Sequence, residues 1–242
     1  MRGFGGGLVG RGADDAAERS RDAELEWWLK EWEPVVRGGG LNPGDVQAIL
    51  GGEPVADTYE ARRWQVARAT VLRVADEAGY PGPEYFEGKV VVDIGPGPLG
   101  FPDACPARLS IGVEPLAEDY ARSGLLLDSP ALYLASGAER IPLVSASVDI
   151  VIARNSLDHV EDPAAVVQEA TRLLRPGGEL VLNVDLENQP NPAEPHSFTL
   201  EDVRGLLAHL TIEREDVIPE GHGGGDPGPT GAVLVVARKP AA

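Results

Sequence analysis

Apolar positions along the chain follow two different periods. Short runs read as strands: the β-branched Val90–Val92, then Arg108–Val113, Ala131–Ala135, the continuous apolar Val148–Ala153 and Glu179–Val184. Between them the spacing is helical. Thr58–Ala78 is the clearest long helix, with Trp64, Ala67, Val71 and Val74–Ala75 on one stripe, arginines elsewhere and Gly79 as its stop. A helix begins over Leu116–Leu126. Another starts at Asp162–Pro163, with a good N-cap and proline at its first position, and runs to about Leu174 before Pro176–Gly177–Gly178. Thr199 caps a helix over Leu200–His209, and Leu210–Val217 with Ala232–Arg238 read as a closing antiparallel pair. Nearer the start, Leu25, Trp28, Leu29 and Trp32 fall at helical spacing. This helix is expected to pack on the domain, or in a sharper reading to lie as an aromatic lid over a pocket. Asp45–Leu50 reads as a short helical piece, Gly38–Gly40 and Asn42–Pro43–Gly44 as loop, and Pro219–Gly231 as a glycine-rich linker or mobile lid.

The stretch KVVVDIGPGPLG, Lys89–Gly100, combines a strand with an abrupt change to glycine and proline. Gly95, Gly97 and Gly100 allow the backbone to turn sharply and come close to a ligand. In an open α/β sheet, ligands bind at the carboxyl ends of the strands, where this turn falls. The glycines satisfy G-x-G-x-x-G and Glu114 follows about 20 residues on, so a dinucleotide fingerprint is formally present. Two features oppose it. Pro96 and Pro98 remove N–H donors that a pyrophosphate needs, and Pro102 and Pro106 disfavour a long helix behind the loop. Asp93 would also set an anion beside a pyrophosphate. A cofactor without phosphate and with positive charge fits better.

VVVDIGPGPLG, together with IGVEP ending at Glu114–Pro115, resembles the first two motifs of class I S-adenosylmethionine-dependent methyltransferases. SGAERIPLVSASVDIVIARNSLDHVEDP and LLRPGGELVL extend the resemblance in the same order, over roughly Tyr85 to Lys239. The resemblance implies a doubly wound, seven-stranded Rossmann-like α/β sheet with a C-terminal antiparallel hairpin and an N-terminal helical cap. It divides the chain into a flexible start (1–22), a helical cap (23–84) and an S-adenosylmethionine-binding domain (85–242). It also implies cofactor contacts from Asp93, Gly95, Pro96, Gly97, Glu114 and Pro115. Ala138 and Glu139 would lie near the adenine, and Asn155 and Ser156 near the methionine part and the transferred methyl.

Three side chains are candidates for proton removal from an acceptor. His159 has the right pKa near neutrality and matches the histidine of the family's L-x-H motif, although a structural hydrogen bond is the competing role. Asp185 and His196, on the polar loop after the fifth strand, are the alternatives; each has an ordinary surface-loop reading beside it. No zinc-ligand spacing appears, so no metal is expected.

Composition narrows the acceptor. With 39 Asp and Glu against 21 Lys and Arg, the net charge is −18, a field that repels nucleic acid and anionic membranes. The notable basic clusters, Arg62–Arg63 and Arg172–Arg175, fall on expected helices. No apolar run approaches a membrane span, no signal peptide is apparent, and the single Cys105 suits a reducing cytoplasm as a bystander thiol. The expectation is a cytoplasmic methyltransferase acting on O or N of a small molecule, such as a specialised metabolite or sugar, and compatible with a homodimer. Two alternatives stay open: a catalytically silent S-adenosylmethionine-binding partner or regulator, and a dinucleotide-dependent oxidoreductase.

Overall fold

A computed structural model of the chain describes residues 21–32, 58–98, 100–126, 129–219 and 230–241. The expectations for Asp45–Leu50, Gly38–Gly44, most of residues 1–22 and the interior of Pro219–Gly231 lie outside these residues, as do the side chains of Trp32 and Tyr59.

Seven strands form one sheet: β1 (Val90–Ile94), β2 (Leu109–Val113), β3 (Leu132–Leu134), β4 (Val148–Arg154), β5 (Leu174–Leu186), β6 (Thr211–Ile218) and β7 (Gly231–Arg238). Their order is β3-β2-β1-β4-β5-β7-β6. The first five are parallel, whereas β7 runs antiparallel to both β5 and β6. The order reverses direction between β1 and β4, and in open parallel sheets that reversal opens a crevice at the carboxyl ends. β1 and β7 are buried almost throughout, which is why their sequences read as continuous apolar runs rather than alternating ones.

Helices cover both faces. α1 (Tyr59–Glu77) packs Val71, Val74, Ala75 and Ala78 on one face, against Ile150, Ile152, Val181 and Leu234. On the other face α3 (Pro163–Leu173) and α4 (Leu200–Leu206) bring Val166, Ala170, Leu173 and Val203 onto Val151, Leu182 and Val235. α2 (Ala117–Ser123) follows β2. The caps at Asp162 and Thr199 are those the sequence predicts, and Thr58, read as the first residue of its helix, stands as a third. Thr58 Oγ1 accepts from Ala61 N–H, Asp162 Oδ1 accepts from Ala164 and Ala165 N–H, and Thr199 with Asp202 completes a capping box.

Two expectations need correction. On α1 the buried stripe holds Arg63, 4% exposed, while Trp64 is 54% exposed and carries the Arg68 guanidinium over its ring. Arg63 is drawn inward by Asp103, 2.5 Å away, and also donates to the Leu125 carbonyl. Strand β5 begins at Leu174, earlier than the Pro–Gly–Gly run suggests. Leu174 pairs with Val148, the register is irregular before Ile150, and Gly177 absorbs a positive φ of 78°. No described helix is long and apolar enough to cross a membrane.

Candidate active site

The carboxyl ends of β1, β2, β4 and β5 gather most of the residues singled out in the sequence. β1 delivers Asp93, buried at 5%, and then Gly95 and Gly97 with φ of 65° and 62°. Side chains are strained in that region, so glycine is required at both positions. Space is also short. A Cβ on Gly95 would sit 2.7 Å from Ser156 Cβ, where β1 and β4 part, and one on Gly97 would sit 2.6 Å from the Trp28 indole. The segment behind the loop is a single 3-10 turn, Phe101–Asp103. Among the described residues, no long helix follows the loop to turn its N-terminus toward a pyrophosphate.

Glu114 ends β2, buried at 2%. Its Oε2 accepts from Gly97 N–H at 3.2 Å and its Oε1 from Leu116 N–H at 3.0 Å, so the carboxylate ties the glycine loop to the turn before α2. Burial pushes its pKa up to about 8, with Glu24 adding to the rise. Burial likewise pushes Asp93 up to about 7, against the pull of Arg154. Pro115 follows Glu114 in the same turn, and Pro96 Cγ lies 3.1 Å from the position a Gly112 Cβ would take. Proline fixes the loop's φ without adding donors.

The helical segment 21–32, with its last turn Trp28–Trp32 wound as a π-helix, lies across this cradle. Trp28 stands edge-on to Tyr120 at 6.3 Å, and with Leu25 and Leu29 it packs on Leu116, Tyr120 and Leu125. Glu24 hydrogen-bonds the Trp28 side chain and lies in electrostatic range of His159 and Glu114. The Leu25–Trp28–Leu29 spacing signalled the helix. Glu24 carried no signal, because nothing local distinguishes it from an exposed helix carboxylate.

β4 ends at Arg154, whose guanidinium grips Glu77 of α1 with two 3.1 Å hydrogen bonds. Asn155 follows at a positive φ of 48°. Its Oδ1 and the Ser156 Oγ are buried without a hydrogen-bond partner, as polar atoms are when a ligand completes them. Ala138 is buried on the loop after β3. Glu139 instead turns its carboxylate to Glu161 and Asp162 N–H at 3.0 and 3.4 Å, holding the entry to α3.

The three proton-transfer candidates differ. His159 Nε2 lies 3.8 Å from Asp158 Oδ1, and its Nδ1 has no partner. His196 donates from Nε2 to the Val160 carbonyl, 2.9 Å away, a bond that requires the Nε2–H tautomer. Its ring thereby pins the β5 loop to the β4 turn. Asp185 is buried at 1% on β5 and in electrostatic range of Asp158. Among the described residues Asp158, His159 and Glu194 also place one ligand atom each within 4.8 Å of one another. Linear spacing hid this grouping. Cys105 has its thiol pushed up to about 12 by burial, which leaves it protonated and inert at neutral pH.

Comparison with known proteins agrees with this fold. The methyltransferase domain family model matches residues 92–182. A protein of Mycobacterium sp. (strain JLS) named an uncharacterized methyltransferase is 34% identical over 99 residues, which are 40% of this chain and 38% of that protein. The chain spans less than half the length of the curated relatives it matches. Among solved structures, the 4+2 cyclase SpnF aligns with TM-score 0.60 at 16% identity, covering 94% of this chain and 97% of that one. The Burkholderia thailandensis 1,6-didemethyltoxoflavin-N1-methyltransferase aligns with TM-score 0.57 at 17% identity, covering 98% and 93%. Residues 92–182 thus match a methyltransferase domain, and the sheet that carries them has the fold of these solved structures.

Proposed function

We propose that the chain transfers a methyl group from S-adenosylmethionine to an oxygen or nitrogen of a small-molecule acceptor. The observation that carries this reading is the conjunction of Gly95 and Gly97 at positive φ with Glu114, buried and bonded to Gly97 N–H, at adjacent strand ends. Glu114 has acceptor capacity left for ribose hydroxyls. Asp93 and Glu114 supply negative charge for a cationic cofactor, and the unpartnered Asn155 and Ser156 atoms are available to its methionine part. S-adenosylmethionine, when bound, supplies an electrophilic methyl on a sulfonium centre.

The chain's part in such a displacement is alignment and exclusion of water. The Trp28 helix over the cradle would contribute the second. Where the acceptor is a hydroxyl, a base must take its proton. His159, with a free Nδ1, is better placed for that task than His196, whose ring holds Val160. A free amine needs no base.

A small acceptor is supported by charge. The basic clusters carry carboxylate partners of the same chain: Arg63 pairs with buried Asp103, Arg172 with Glu169 and the more exposed Arg175 with Asp149. The net −18 then disfavours nucleic acid. The similar Burkholderia protein is described with bound 1,6-didemethyltoxoflavin and S-adenosylhomocysteine, which agrees with a small molecule on this fold. The similarity to a protein described as a cyclase favours one second reading, a cofactor-binding protein that does not transfer the methyl, since a fold alone does not fix a reaction.

Calorimetric titration with S-adenosylmethionine, S-adenosylhomocysteine and NAD tests the cofactor. Binding of the first two on the order of micromolar, with none of NAD, is expected. Binding of NAD alone would overturn it. Formation of S-adenosylhomocysteine with candidate acceptors then separates the enzyme from the silent binder.

A further inference from the structure

We infer that Asp158, His159 and Glu194 form a binding site for a first-row divalent cation of the zinc class, beside the cofactor cradle. The three residues come from two distant parts of the chain. Asp158 and His159 lie on the turn after β4, and Glu194 on the loop after β5. Yet one donor atom from each falls within 4.8 Å of the others.

The approach of Glu194 is built by the fold. Asn191 Oδ1 accepts from Ala193 and Glu194 N–H at 2.9 and 3.0 Å, and Asn191 Nδ2 donates to Glu194 Oε2 at 3.0 Å. The same loop is fastened to the β4 turn by His196, through its ring to the Val160 carbonyl and through its N–H to the Asp158 carbonyl at 3.4 Å. The carboxylate is thus delivered by a braced turn rather than by a free side chain.

A second observation points to a ligand. The Asp158 side chain is 2% exposed, and its Oδ1 has no hydrogen-bond partner. Its nearest cationic candidate, His159 Nε2, is 3.8 Å away, beyond hydrogen-bond reach. No Lys or Arg among the described residues forms an ion pair with Asp158 or Glu194. Leaving a buried carboxylate oxygen unmet is costly, and native proteins do so where something else completes the group. Glu194 and Asp185 lie within electrostatic range of Asp158, so three carboxylates crowd this turn. A dication would answer this excess of negative charge, with an imidazole nitrogen and two carboxylate oxygens as donors.

That donor set selects the ion. One nitrogen and two oxygens suit borderline metals such as Zn²⁺ or Co²⁺, whereas Mg²⁺ and Ca²⁺ prefer sites made of oxygen alone. Three protein ligands leave one position open, the pattern of zinc sites that also bind a water or substrate. The inference stands on the cluster alone and does not require methyl transfer. If the proposed reaction holds, a metal-bound His159 would no longer take the acceptor's proton, and the metal would instead lower the pKa of an acceptor oxygen at the open position.

The test uses the full chain after EDTA treatment and dialysis. Titration with Zn²⁺, followed by calorimetry, should give one equivalent. Co²⁺ should give visible absorption bands of a low-coordinate site, and Mg²⁺ should give no stoichiometric binding. Asp158→Asn and Glu194→Gln should each weaken Zn²⁺ by about tenfold or more, since each removes one anionic ligand. Circular dichroism and the unchanged affinity of Glu194→Gln for S-adenosylmethionine in EDTA would show that the fold and the cradle remain. Absence of stoichiometric Zn²⁺, or Zn²⁺ affinity undiminished in both variants, would overturn the site. Neither outcome touches the cofactor reading, which is measured without metal.

Discussion

The two halves of the sheet's carboxyl edge are constructed by opposite means. On the β1–β2 side the cradle is made of backbone: two glycines at positive φ, prolines that remove donors, and one carboxylate that holds the loop's N–H groups. Its members lie close in sequence, between Asp93 and Pro115. On the β4–β5 side the edge is lined by side chains: Asn155, Ser156, Asp158, His159 and Glu194 from two loops, and Asp185 from the end of β5. The difference teaches where variation can fall. A backbone cradle recognises what its bound partner always presents, and its tight spacing leaves little room for substitution. A cluster of side chains on loops can change ligand by changing residues while the strands beneath stay as they are.

The comparison breaks most directly at Gly97. Gly97→Val should impose about 1–3 kcal/mol of backbone strain and press on the Trp28 ring. S-adenosylmethionine affinity should fall by ~100-fold or more, because loop and approach are both lost. Retained affinity would show that the glycine loop is not the contact surface. The fold should survive, since the loop lies at the sheet's edge, and a near-native circular dichroism spectrum checks this.

Glu114 gives the next largest effect. Glu114→Ala removes a charged acceptor from Gly97 and Leu116 N–H and, on the proposed function, from the ribose hydroxyls, so affinity should fall by about 10- to 100-fold. Calorimetry reads the change, and unaltered affinity would remove the ribose assignment. Zn²⁺ binding at Asp158, His159 and Glu194 should be unaffected by this variant. A loss of both ligands together would mean that the two halves are one site, and the contrast between them would fall.

How far the sequence reached follows the same division. The glycine turn after β1 was legible because it is written in neighbouring residues, as were the helix α1 and the continuous valine strands. The failure on α1 has a clear cause. A hydrophobic stripe assigns Trp64 to the interior and Arg63 to solvent. A buried partner, Asp103, invisible to periodicity, reverses the two. Glu139 matched a motif by position, yet its carboxylate serves the entry to α3. The meeting of Glu194 with Asp158 depends on how the β5 loop is braced by Asn191 and His196, and no spacing rule encodes such a contact.

The smallest expected effect is the response of the cradle to pH. Asp93 and Glu114 titrate in the folded protein near about 7 and about 8, both raised chiefly by burial. The unfolded chain releases the same protons at ordinary carboxylate values, roughly 4. Between these limits the folded state binds more protons than the unfolded one, so the slope of stability against pH is negative. The contribution is fully present below the unfolded values and is lost as pH rises through 7 and 8. Thermal unfolding without cofactor should therefore show Tm falling from pH 5.5 to 8.5, less steeply in Glu114→Gln, which has no carboxyl to ionise. A cationic ligand favours the ionised carboxylates, so S-adenosylmethionine should bind more tightly across the same rise and flatten the decline. Affinity that falls with rising pH would mean that these carboxyls meet their ligand as protonated donors. The cradle would then recognise hydrogen-bond acceptors, and the assignment of positive charge to its occupant would be reversed.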